Sequence, residues 1–218
     1  MKKEEFFDEQ ILDMINQSEQ MHTGNKDALS KVEDKKNENK KTDERSIYTG
    51  VRIYGKWIYF ERQLLLEDSI SMMVPNNFVQ MTKEAAKIKY PSEHRPETIM
   101  TDETGTVNLM FQYMEGEVDS ETIETFRNQV FGLMKYANPG IKEREVGVID
   151  IEGYRIAYVE FTNNALGGKL YNLMFYISVK GRPLMGNFNC ITKDVKYWQP
   201  VAMEMMQSIR IVEEVRES

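Results

Sequence analysis

Four β-rich runs follow one another from Glu145 to Ile151, Tyr154 to Phe161, Lys169 to Lys180 and Leu184 to Ile191. Only Glu152-Gly153, Leu166-Gly167-Gly168 and Gly181-Arg182-Pro183 separate them. Connections this short cannot carry a crossover, so consecutive runs must be antiparallel neighbours. Upstream, WIYF at 57–60 and SISMMVP at 69–75 read as an opening hairpin or meander, the second closed by Pro75 and Asn76-Asn77. ETIMTD at 97–102 and TVNLMFQYM at 106–114, joined through Glu103-Thr104-Gly105, add two more strands.

Three helices interrupt or close this series. Thr82 caps KEAAKIKY, with Ala85, Ala86 and Ile88 apolar and Pro91 as its stop. Asp119 or Ser120 starts the most regular helix: Ile123, Phe126, Val130, Leu133 and Met134 form an apolar stripe that Asn138-Pro139-Gly140 terminates. Asp194 is placed to cap a last helix through Trp198, Met203 and Met206, and SIRIV at 208–212 is a closing strand or helix end. Each helix has an apolar face that needs a sheet to cover, so the predicted class is α+β, an antiparallel sheet flanked by helices.

Alternation sorts the two most apolar strands into faces. Val107, Leu109, Phe111 and Tyr113 go with Tyr171, Leu173, Phe175, Ile177 and Val179, a uniformly apolar core face. Asn108, Met110, Gln112 and Met114 go with Leu170, Asn172, Met174, Tyr176 and Ser178 on the other. That second face admits two readings. A helix covers it and the methionines fill irregular gaps, or part of it lines a groove for an apolar peptide or helix, with Met110, Met114, Met174 and Tyr176 as the partner-binding residues.

The first 46 residues differ in kind. Phe7, Ile11, Met14 and Ile15 are spaced by three and four, so residues 1–21 are expected to hold a short amphipathic helix. Residues 22–46 carry seven Lys or Arg, six Asp or Glu and no aromatic side chain, the composition of a charged flexible linker. The folded domain is therefore placed at 47–218.

Composition removes several function classes. A net charge of -7 gives no basic footprint for nucleic acid. No apolar run approaches the roughly 20 residues of a membrane helix, so no membrane insertion is expected. MKKEEFFDEQ lacks the apolar stretch of a secretory signal, which with the lone Cys190 makes a cytoplasmic location the expectation. His22 and His94 cannot build a His-rich metal site, and no metal or other cofactor is expected.

Chemistry-bearing patterns are equally sparse. His94 lies in the PSEHRP turn, and no nucleophile elbow accompanies it. Leu166-Gly167-Gly168-Lys169 joins two strands and fits a hairpin turn better than a phosphate cradle. Glu115/Glu117 and Glu143/Glu145 are carboxylate pairs that nothing places around a cleft, and Cys190 reads as a small buried thiol. No catalytic residue is assigned.

SISMMVPNNF at 69–78, YNLMFYISVKGRPLMGNFNC at 171–190 and the terminal helix with Trp198 leading into SIRI together resemble the PsbP-like superfamily over about Tyr54 to Val212. That superfamily includes PsbP, the Ran-binding Mog proteins and bacterial Eag-type secretion chaperones. The resemblance implies an αβα sandwich and a noncatalytic adaptor or chaperone-like role with a protein partner. Against the lumenal and lipoprotein members, this chain is expected to lack an export signal, and it adds the charged extension. Two other readings stand beside this one: an enzyme whose site forms only in three dimensions, around Arg155, Glu160, Asn163 and Asn164, and a structural subunit in which residues 4–21 dock onto another chain or the same domain.

Overall fold

A computed structural model describes residues 46–90, 95–165 and 168–212. The predicted amphipathic helix at 1–21, all of the predicted linker but Ser46, and the His94 turn lie outside these residues.

Among the described residues twelve strands and three α-helices follow in chain order. They are β1 Val51–Ile53, β2 Lys56–Ile58, β3 Phe60–Leu65, β4 Ile70–Pro75, β5 Val79–Gln80, α1 Lys83–Lys89, β6 Thr98–Thr101 and β7 Asn108–Tyr113. After these come α2 Ile123–Ala137, β8 Lys142–Ile151, β9 Tyr154–Ala165, β10 Gly168–Val179, β11 Arg182–Ile191, α3 Val195–Gln207 and β12 Arg210–Ile211. The main sheet has seven strands in the order β5-β6-β7-β11-β10-β9-β8, and every pairing in it is antiparallel. The fold is α+β, as the turn spacing predicts.

Three hairpins turn on the same chemistry. Tyr54-Gly55, Glu152-Gly153 and Lys180-Gly181 all have positive φ at both positions, the backbone that a two-residue turn needs to match the twist of its strands. β8 opens three residues earlier than expected, because a bulge between Glu143 and Glu145 lets Lys142 and Glu143 rejoin the ladder.

The opening segments differ from expectation. WIYF does not form one strand: Trp57 and Ile58 pair with β1, whereas Phe60 begins β3 and pairs with β4. Between them the Tyr59 carbonyl accepts from the Asn76 N–H at 2.9 Å. Nor does β3-β4 join the main sheet, because the far edge of β4 is taken by β12 from the end of the domain, giving a separate sheet in the order β12-β4-β3.

The two faces of the main sheet carry separate cores. On the apolar face Leu109, Phe111, Leu173, Phe175 and Phe188 pack with Met72 and Val74 of β4 and with Trp198, Val201 and Met205 of α3. On the other face Ile123, Val130, Phe131 and Met134 of α2 bury Met114, Val159, Phe161, Met174, Tyr176 and Met185. α1 closes the rest, with Ala86 and Tyr90 against Ile99 and Met110.

Helix starts also differ from the predicted caps. Asp119 accepts from both the N–H and the hydroxyl of Thr122 at 2.7 Å, whereas the Ser120 hydroxyl accepts from the Arg155 N–H at 2.8 Å and ties this corner to β9. Asp194 does not cap α3; its backbone is already helical, at the end of a short 3₁₀ turn, and its carboxylate accepts from the Tyr54 hydroxyl.

Candidate functional site

The four side chains predicted to face a partner lie in the interior. Met110, Met114, Met174 and Tyr176 are at most 5% exposed. Tyr176 donates to the Met174 sulfur at 2.9 Å and meets the Phe126 ring edge-on at 5.7 Å. The face is thus helix-covered rather than an open groove. The apolar stripe of α2 needs a surface, and the gaps that unbranched methionines fill supply it. Several amides on this face find partners: Asn108 donates to Asn189 at 2.9 Å and accepts from Thr101 and Lys89, and Asn172 donates to Asn163 at 2.8 Å.

The residues of the enzyme alternative do not converge. Glu160 and Asn163 differ by an odd step along β9 and so point to opposite faces of the sheet. Glu160 is buried and accepts from Gln199 at 2.9 Å, whereas Asn163 belongs to the amide network beneath the helices. Arg155, at the other end of β9, pairs with Asp150 at 3.0 Å and Glu121 at 3.3 Å in solvent. Cys190 is fully buried; that burial, helped by nearby Asp194, pushes its thiol up to about 12. Among the described residues no three His, Cys, Asp or Glu side chains gather as a metal-ligand set.

One cleft of about 580 Å³ opens where the small sheet meets the end of the main one, walled by Leu64, Glu67, Glu97, Tyr113, Lys180 and Arg182. Arg182 sits over the Tyr113 ring at 4.4 Å. The wall formed by the β3–β4 turn runs through three consecutive left-handed residues, Leu66, Glu67 and Asp68. The lining mixes both signs of charge.

The more distinctive surface is the β1–β2 hairpin. One side is fixed, because Ile47, Val51 and Ile53 are core residues and the Ile47 N–H donates to the Glu204 carboxylate at 3.0 Å. The other side presents aromatic rings to solvent. Tyr48, Trp57 and Tyr59 are 63%, 57% and 54% exposed. Trp57 and Tyr59, two apart and so on one side, stack at 6.3 Å with an interplanar angle of 18°. Gly50 borders the stack: its φ is +104°, and a β-carbon there would come within 3.1 Å of the Tyr59 ring, a tight contact that the ring would have to ease. Arg52 lies directly across from Trp57 in the ladder, which sets a guanidinium on the aromatic side. Tyr54, at the tip, is held instead by Asp194 and by the Tyr197 ring at 4.6 Å; burial and then Asp194 raise its hydroxyl well above the usual tyrosine range.

Sequence reasoning missed this surface. Its signal was present in the stretch 46–60, which has Tyr48, Tyr54, Trp57 and Tyr59, the cations Arg52 and Lys56, and no Asp or Glu. Aromatic residues also favour strands, so the composition was absorbed into the strand prediction.

No protein-family model and no curated protein sequence matches this chain. Solved structures do. The solution structure of cyanobacterial PsbP from Synechocystis superposes with a TM-score of 0.53 at 12% identity, over 70% of this chain and 92% of that one. LpqN of Mycobacterium tuberculosis, described as involved in cell envelope biogenesis, superposes at 0.48 with 11% identity, over 72% of this chain and 92% of LpqN. The fold is PsbP-like, as the strand-turn-helix order implies. No helix among the described residues is long and apolar enough to cross a membrane.

Proposed function

We propose that this chain is a noncatalytic protein-binding module, an adaptor that docks its partner on the open face of the β1–β2 hairpin. The observation that carries this reading is the exposed Trp57–Tyr59 stack with Arg52 across the ladder. Tryptophan, tyrosine and arginine are the residues in which binding energy concentrates at protein interfaces. They hold large contact area at low entropic cost, and here one side of the hairpin is already anchored in the core. The PsbP-like fold agrees with a binding role but does not choose the partner. The buried methionine face supplies packing, and the partner surface moves from Met110, Met114, Met174 and Tyr176 to the hairpin.

The reading is tested by affinity capture from the native cell with the full chain and with W57E/Y59E. Both changes fall on exposed side chains, so circular dichroism and thermal midpoint should match the parent. A protein retained by the parent and lost by the variant supports the reading. Identical capture by both removes the hairpin as the docking surface.

A further inference from the structure

We infer that residues 4–21 of this same chain dock on the hairpin face and occupy the surface that a partner would use. This rests on the reading of that face as a docking surface, and three observations select the occupant.

The first is where the described chain begins. Ser46 bridges to Gly50, whose N–H donates to the Ser46 carbonyl at 2.9 Å, and Gly50 lies against the Tyr59 and Trp57 rings. Anything N-terminal to Ser46 therefore leaves from the border of the aromatic patch. The intervening segment 22–45 is 24 residues long, and a random-coil chain of that length reaches about 25 to 30 Å root-mean-square, enough to return to the hairpin. Such a tether holds the segment near the patch at an effective concentration on the order of millimolar.

The second observation is charge. Residues 4–21 hold Glu4, Glu5, Asp8, Glu9, Asp13 and Glu19 and no Lys or Arg, whereas 46–60 hold Arg52 and Lys56 and no Asp or Glu. The third is shape. Phe7, Ile11, Met14 and Ile15 recur at helical spacing, so the segment can offer one apolar stripe to the rings and acidic flanks to the cations. Docking in cis makes the extension an internal competitor, and a partner must displace it or bind when it is released.

Acrylamide quenching of Trp57 in the full chain tests this without any partner. The only other tryptophan, Trp198, is 4% exposed and its contribution is removed by subtracting the signal of W57F. The inference expects Trp57 to be shielded in the parent chain. F7D/I11D should raise its quenching constant roughly threefold if the docked form dominates, and about 1 M salt should do the same in part. Both effects should be independent of protein concentration. A quenching constant that F7D/I11D leaves unchanged overturns the inference. Shielding that grows with concentration alongside a doubled mass assigns the segment to a second copy and overturns docking in cis. If Trp57 is shielded in cis but W57E/Y59E loses no captured protein, the partner reading fails while the self-docking stands.

Discussion

The Phe175 ring fills the space above the backbone of Gly186, its partner across the β10–β11 ladder, so closely that a β-carbon at 186 would sit 2.1 Å from Cζ. The contact lies at the centre of the main sheet, where Phe175 also meets Phe111 edge-on at 6.1 Å. G186A should therefore force the ring out of place and destabilise the domain by about 1–3 kcal/mol. Urea unfolding of G186A and of G186A/F175L checks this: the smaller side chain should recover part of the loss, which a simple backbone effect would not allow.

Arg127 is the fastener between α2 and the sheet edge. Its side chain is almost wholly buried, and Nη1 donates to the Tyr158 carbonyl at 2.6 Å and the Gly147 carbonyl at 3.1 Å, while Nη2 meets the half-exposed Glu124 carboxylate at 3.1 Å. R127M should cost about 2–3 kcal/mol because the buried Tyr158 carbonyl and the part-buried Gly147 carbonyl lose a charged donor. E124Q should cost less than about 1 kcal/mol, since its partner keeps the carbonyls and its own charge is solvated. Chemical denaturation of the two variants separates the contributions.

Met174 and Trp57 should respond in opposite ways. M174D sets a carboxylate beneath α2 and should abolish cooperative unfolding, whereas M174L should change stability by less than about 1.5 kcal/mol. W57E should leave stability within about 0.5 kcal/mol. Thermal melts followed by circular dichroism give all three values.

Alkaline pH should weaken the fold before it changes its shape. Tyr90, Tyr171 and Tyr176 are held protonated by burial above their ordinary 10.0, and the Cys190 thiol is pushed up from 9.0 to about 12. Well below pH 9 folded and unfolded chains both keep these protons, so the groups add no slope. Above it the unfolded chain releases protons that the folded chain retains, and stability falls as pH rises toward 12. Urea midpoints at about pH 8 and about pH 10.5 should show the drop, and Cys190 should resist thiol reagents until the chain unfolds.

Local signals made much of this architecture readable. The β8–β11 meander follows from glycine-bearing turns between alternating runs, and α2 from a stripe at helical period, both written within a few residues. The small sheet was hidden because β4 pairs with Arg210–Ile211 at the far end of the domain, a contact that no local pattern announces. The Met/Tyr face mixes thioethers, rings and amides in the sequence, but whether it is closed depends on where α2 lands. The hairpin face was missed because strands of three residues are too short for alternation to show which rings point outward.

Position 57 offers the most direct test of the central claim. A photo-crosslinking amino acid placed there in the full chain, and at the solitary, 88% exposed Tyr136 as a control, reports what each surface touches in the native cell. Docking on the hairpin predicts that illumination joins position 57 to a discrete second protein, competing with residues 4–21, while position 136 gives none. Equal crosslinking from both positions, or none from 57, would contradict it.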